Sequence, residues 1–182
     1  MIYFIDNIAD SIKQYLPMAD RGIYLARIDD EGRVLMPSPN DPNEYVYAGI
    51  RDNDSNYFYI RHRDSGEISY SQPSSLKSFA CGQTSTLAKY ELRVVASIRN
   101  WCPYNMEESI RKALMMAYLP DIKGGNSGSD YIKNASISLV RSQIDSRAIL
   151  SEESPKPKQF DKSLIFVAVD FDLEFEFDLY FY

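Results

Sequence analysis

Residues 164–182 read LIFVAVDFDLEFEFDLYFY. The odd positions from Ile165 to Phe181 are all apolar, while the even positions Asp170, Asp172, Glu174, Glu176 and Asp178 are all acidic. A period of two puts alternate side chains on opposite faces, which is the pattern of a β-strand. A helix, at about 3.6 residues per turn, would smear both sets around its cylinder. Up to position 168 the even side is apolar as well (Leu164, Phe166, Ala168), so this part is predicted to be buried from both sides.

The stretch is also long. Its nineteen residues span roughly 60 Å when extended, against a usual strand of about 5–6 residues. Three resolutions are expected: a bend at a bulge, a strand shared by two sheets, or an end that leaves the subunit and joins a neighbour's sheet. Like charges about 7 Å apart on one face repel. They call for water, which makes a solvated outer face, or for cations from the same sheet or the next subunit. Alternate positions along one strand do not converge on a point, so no metal site is indicated.

A second long strand is predicted over residues 84–100, where Leu92, Val94, Ala96 and Ile98 alternate with Arg93, Val95, Ser97 and Arg99. Arg93 and Arg99 are cations on a regular strand face, and cross-strand pairing with the acids from Asp170 to Asp178 would relieve the repulsion. A third strand is expected over 137–144, with Ile137, Leu139 and Arg141 on one side. Asn105, with Glu108 three residues on, resembles a capping box. It opens a helix whose face is Ile110, Ala113, Leu114, Ala117 and Tyr118, stopped by Pro120. Met115 and Met116 are expected to fill core. A shorter helix over 7–16, capped by Asp6, carries Ile8, Ile12, Tyr15 and Leu16. Residues 23–28 and 33–36 around Asp29-Asp30-Glu31-Gly32 read as a hairpin, and 146–153 as a short helix.

Residues 37–80 hold three Tyr-rich strand-like pieces (45–50, 57–61 and 67–70) and read as a β insertion that faces a partner. Residues 121–130, DIKGGNSGSD, form the strongest loop signal, with Gly124, Gly125, Asn126 and Gly128 as a flexible assembly loop. It is not a phosphate loop, because a helix precedes it and Lys123 comes before the glycines. The DNDSN segment is similar to the start of a calcium loop, but Tyr57 stands where the turn glycine belongs and Arg63 where the bidentate Glu belongs. The organisation expected is one domain over 1–182, α+β, with a mostly antiparallel twisted sheet and two main helices on one face.

Composition narrows the function. The net charge of −6 in 182 residues nearly equals the five acids of the last strand, so the rest is close to neutral and exposed nucleic acid is not an expected ligand. Cys81 and Cys102 make no framework, and reduced thiols are expected. The start MIYFIDNIADSIKQYL lacks the charge pattern of a signal peptide, and no apolar run is long enough to span a membrane. The one histidine, His62, lies between Arg61 and Arg63. It is expected at the surface, and no nucleophile motif or His/Asp/Glu cluster accompanies it. No enzyme activity, catalytic residue, metal or cofactor is expected.

The order of elements adds a family. Residues 137–145 (ISLVRSQID) through 166–175 (FVAVDFDLEF) look like the tail-terminator and neck-ring proteins of tailed bacteriophages, especially those of Bacteroides phages, crAss-like ones included. This pattern covers about half the chain, and residues 37–80 and 178–182 fit it less well. The resemblance implies a head–tail connector subunit in the virion neck, assembled in the host cytoplasm. It implies a homo-oligomeric ring, twelvefold in preference to sixfold, touching portal or other neck and tail proteins, with DNA passing unbound. Arg93, Arg99, Asp170, Asp172, Glu174, Glu176, Asp178, Tyr180 and Tyr182 are the candidate interface residues. Two other classes remain open: a monomeric β-rich adaptor for one protein partner, and an acidic inhibitor that mimics DNA.

Overall fold

A computed structural model describes residues 2–19, 22–31, 33–38, 41, 44–47, 56–63, 75–78, 85–117, 132–153 and 164–178. The elements run α1 (Ile2–Lys13), β1 (Ile23–Leu25), β2 (Arg27–Ile28), β3 (Val34–Pro37), β4 (Tyr45–Tyr47), β5 (Tyr57–His62), β6 (Ser75–Ser78), β7 (Ser85–Ile98), α2 (Pro103–Met116), β8 (Ile132–Gln143), α3 (Ser146–Glu153) and β9 (Ile165–Asp178). The main sheet has the order β1-β5-β7-β9-β8, with β6 also on β7, and β2-β3-β4 form a second, small sheet. All pairings are antiparallel except β1 with β5. The class is α+β, as the pattern predicts.

The length of β9 is resolved inside the chain. β9 and β7 are both 14 residues long and pair end to end, from Ile98–Ile165 to Ser85–Asp178. β8, at 12 residues, covers the other edge of β9. An antiparallel partner of equal length satisfies a long strand's backbone without a kink, so none of the three expected resolutions applies over 165–178. The bulges fall on β8 instead, at Lys133 and Val140.

Both faces of the sheet are covered. On one, Leu92, Val94, Ala96 and Ile98 of β7 and Val167, Val169, Phe171 and Leu173 of β9 pack with Phe58 and Ile60 against α1 and α2. These helices contribute Ile8, Ile12, Met106, Ile110, Ala113 and Leu114. Phe171 is fully buried, and a truncation there is worth about 3–5 kcal/mol. On the other face Tyr57, Tyr59, Val95, Phe166 and Ala168 pack against Ile149 and Leu150 of α3. Burial of 164 and 166–169 from both sides follows the apolar run read from the sequence.

Several local expectations change. β5, assigned by sequence to the 37–80 insertion, is a wholly buried strand between β1 and β7. Its tyrosines fill core, because apolar area outweighs one hydroxyl that finds a partner. β4 does extend the hairpin of β2 and β3. α1 starts five residues before the predicted helix, so Asp6 lies inside it. α2 starts at Pro103, with Cys102 as the N-cap and Asn105 already in the first turn, since proline's fixed φ suits a first helical position. Met115 and Met116 are exposed, at 76% and 57%. They fall past the buried stripe of Met106, Ile110, Ala113 and Leu114. His62 is buried at 8% with its ring 6.0 Å from that of Tyr90, because β5 extends one residue further than predicted. Gly22 takes φ 98°, a left-handed bend between α1 and β1 that a side chain would strain. The predicted strand 67–70, the loop glycines Gly124, Gly125 and Gly128 with Asn126, and Tyr180 and Tyr182 lie outside the described residues.

Candidate functional site

The even face of β9 builds the site. In the antiparallel ladder Asp170 lies opposite Arg93, Asp172 opposite Glu91, Glu174 opposite Lys89, and Glu176 opposite Leu87. Directly opposed residues share a face, so the periodicity alone turns Arg93 and Asp170 toward each other. Arg93 donates through Nε to Asp170 Oδ1 at 2.6 Å, and both side chains are 2% exposed. A second arginine reaches the same carboxylate, with Arg141 Nε at 2.6 Å from Oδ2.

Arg141 is there because of the bulge. Leu139 pairs with Phe171 and Arg141 with Asp170, so Val140 is an extra residue on β8. Were Val140 instead paired in regular alternation opposite Asp170, Arg141 would face Val169 in the apolar layer. A one-residue slip reverses every side chain beyond it. The sequence expectation that Arg141 shares a side with Ile137 and Leu139 is therefore overturned.

α3 supplies the other half. The Asp145 carboxylate accepts from the backbone N–H groups of Arg147 and Ala148 and caps the helix. The Phe166 N–H donates to Ser146 Oγ at 2.9 Å, tying the start of α3 to β9. The last residue, Glu153, is fully buried. Its Oε1 accepts from Arg61 Nη2 at 2.6 Å and from Arg93 Nη1 at 3.2 Å. Its Oε2 accepts from Arg61 Nε at 2.7 Å and from the Tyr59 hydroxyl at 3.1 Å. Arg61 and Arg93 are directly opposed on β5 and β7, a pairing that repels unless an anion lies between them. Glu153 is that anion, and Glu152 adds a further ion pair to Arg93.

These groups form two balanced layers. In the inner one Arg61, Arg93 and Arg141 meet Glu152, Glu153 and Asp170. In the outer one Arg63 and Lys89 meet Glu91 and Asp172, with Lys89 Nζ 2.7 Å from Asp172. Glu174 and Glu176 come next and have no ion pair among the described residues. The row is thus neither a uniformly solvated face nor five free charges. Cations of its own sheet neutralise its first two members.

The protonation equilibria follow the geometry. Burial pushes the Asp170 carboxyl up, but the hydrogen bonds from Arg93 and Arg141 outweigh it and hold the group below the usual carboxylate range. Glu152 is likewise raised by burial and brought below its ordinary value by Arg93. Burial pulls the Arg93 guanidinium down, while Asp170 and Glu152 more than reverse this and hold it firmly charged. Burial, then the Glu153 charge, push the Tyr59 hydroxyl well above its ordinary value. Burial alone raises Tyr90 to about 12. Every one of these shifts deepens the charge state present at neutral pH, so none poises a group for proton transfer there.

Of the residues selected from sequence, the structure brings together Arg93, Asp170 and Asp172. Arg99 lies one residue beyond β7, whose end aligns with Ile165, far along the strand from the acids. Its backbone N–H donates to Asn56 Oδ1. The side chain of Asp178 and the positions of Tyr180 and Tyr182 are not among those described. Sequence reasoning missed Tyr59, Arg61, Arg63, Lys89, Glu91, Arg141, Glu152 and Glu153. Arg61, in phase with Tyr57 and Tyr59, and Lys89 and Glu91, in phase with Arg93, carried a signal. Among the described residues no group of His, Cys, Asp and Glu could hold a metal ion, and no helix is long and apolar enough to cross a membrane. Compared with known proteins, the chain matches no family model and no curated protein.

Proposed function

We propose that the chain is a structural subunit of a multimeric assembly, a ring of the head–tail connector type at the portal–tail junction of a tailed bacteriophage. In this reading it mediates tail assembly and surrounds the DNA conduit, and it acts through subunit contacts rather than catalysis. The resemblance of residues 137–145 and 166–175 suggests the ring.

The observation that carries the assembly reading is the outer edge of β8. It is 12 residues long, and among the described residues no strand pairs with it. A long edge with outward N–H and C=O groups is a template for another chain. β9 is enclosed by β7 and β8 of its own chain, so the contact between subunits belongs to β8 and not to the acidic strand. A β8 edge set against a different surface of the next copy is a head-to-tail contact, which closes into a ring when the rotation allows. Twelvefold closure is favoured over sixfold. Glu174 and Glu176, beyond the neutralised layers, would keep a conduit wall from holding DNA. The DNA-mimic alternative loses force, because Asp170 and Asp172 are already engaged by cations.

The test is negative-stain imaging and sedimentation velocity of the full chain at rising concentration. The comparison variant is Val140→Lys, at a half-exposed bulge position on the edge. Closed rings in the native chain, lost in the variant while its circular dichroism is unchanged, support the reading. A native chain that forms no ring alone and joins none when mixed with neck components overturns it.

A further inference from the structure

The outward face of α2 carries a second feature, independent of the ring. Its exposed stripe is Tyr104, Glu108, Arg111 and Met115, spaced four, three and four residues apart. That spacing keeps a seam on one side of a helix, opposite the buried Met106, Ile110, Ala113 and Leu114. Tyr104 is 64% exposed and Met115 76%. Apolar side chains at both ends bracket a charged middle, where Lys112 Nζ lies 2.7 Å from Glu108 Oε1 and Arg111 Nη1 3.3 Å from Glu107 Oε1.

The order along the stripe reverses onto itself. An antiparallel second helix, related by a twofold axis midway between Ser109 and Ile110, sets Tyr104 against the second copy's Met115. It sets Glu108 against the second copy's Arg111. Each contact occurs twice, as an isologous interface requires. An aromatic ring on a thioether is a favourable pairing, and Glu108 gains a cation on the facing helix beside its own Lys112. A parallel arrangement would put Glu108 on Glu108 and Arg111 on Arg111 along the stripe. The charge order therefore selects both the partner and its direction.

We propose that the exposed face of α2 is a self-recognition surface that docks antiparallel on α2 of a second copy of this chain. The helix has 14 residues, about 21 Å in length. One helix pair buries less than the roughly 800 Å² per partner of a standard interface, so the dimer is weak, with a Kd on the order of 100 µM. This contact is twofold, distinct from the head-to-tail contact at β8, and stands whether or not a ring forms.

Sedimentation equilibrium of the full chain from about 5 to 500 µM tests it, at low and high salt, with circular dichroism as the check on folding. Val140→Lys serves as the background, so that ring formation cannot mask a dimer. A monomer–dimer equilibrium is expected. Met115→Glu, Glu108→Lys and Arg111→Glu should each weaken it by tenfold or more, and the double variant E108K/R111E should recover most of the loss. A chain monomeric to the highest concentration overturns the proposal. So does a dimer indifferent to Met115→Glu, or a double variant no better than either single one. All these sites are exposed, which keeps loss of folding separable from loss of association.

Discussion

Replacing Glu153 with glutamine tests whether the buried charge layer holds α3 to the sheet. The substitution keeps shape and removes one negative charge from between Arg61 and Arg93. Those arginines are directly opposed on neighbouring strands, so both remain charged, buried and facing each other. The exposures are 0% for Glu153, 6% for Arg61 and 2% for Arg93, which leaves little solvent to screen them. Breaking a buried pair on one side costs about 3–5 kcal/mol. A glutamine carbonyl still accepts from one guanidinium, which places the loss near the lower end, about 3 kcal/mol. For a chain of 182 residues, each kcal/mol moves Tm by about 2–4 °C, so the expected fall is roughly 6–12 °C. Urea unfolding followed by circular dichroism gives the free energy, and a midpoint shift of about 1.5 M is expected for a slope near 2 kcal/mol/M. Replacing Arg61 and Glu153 together with methionine removes both charges of that pair. It should recover much of the loss, because an apolar pair of similar volume avoids the desolvation cost. A Glu153→Gln variant within about 1 kcal/mol of the native protein would behave like an exposed ion pair. That result would refute the claim that this layer holds α3.

Asp170 sets a pH dependence. Its folded pKa lies below the unfolded value of about 3.9. Its contribution is therefore complete above the unfolded pKa and is lost as pH falls through the folded one. Unfolding midpoints of native and Asp170→Asn protein should differ most near neutrality and converge toward pH 2, and a gap that stays constant with pH contradicts this. Deleting Val140 removes the extra residue and leaves Leu139 opposite Phe171 and Arg141 opposite Asp170 in unbroken register. Urea unfolding should then change by no more than about 1 kcal/mol, and a loss of about 3 kcal/mol or more, as expected for an arginine turned into the apolar layer, would show that Val140 is not the residue the register skips. Cys102 is the N-cap of α2, extended at φ −74° and ψ 124°, and makes no side-chain cap hydrogen bond. Cys102→Ser should raise stability by about 0.5–1 kcal/mol, and a lower Tm would count against the cap assignment.

What the sequence determined rests on properties a strand has by itself. Alternation needs only extended geometry, so the stretches 164–182 and 84–100 declared the strands found at Ile165–Asp178 and Ser85–Ile98, and their faces, without a partner in view. The match of Arg93 with Asp170 was legible because charge and phase are both local. The fold class followed from the same periodicities.

The rest depended on contacts distant in sequence. Whether Tyr57–His62 is a surface hairpin or a central strand turns on which strands flank it. Glu153 is buried only because α3 docks there, and alone it reads as one more surface acid. Arg141 faces the acids through a single extra residue, and no periodicity in 132–143 announces a bulge. Nor could pattern tell that β9, 14 residues long, would find partners of 14 and 12 residues in β7 and β8, which moved the candidate assembly contact from the acidic strand to the edge of β8. Periodicity assigns a side chain to a face. Register, bulges and docking decide what meets it there, and these are settled by the free energy of the whole packed sheet.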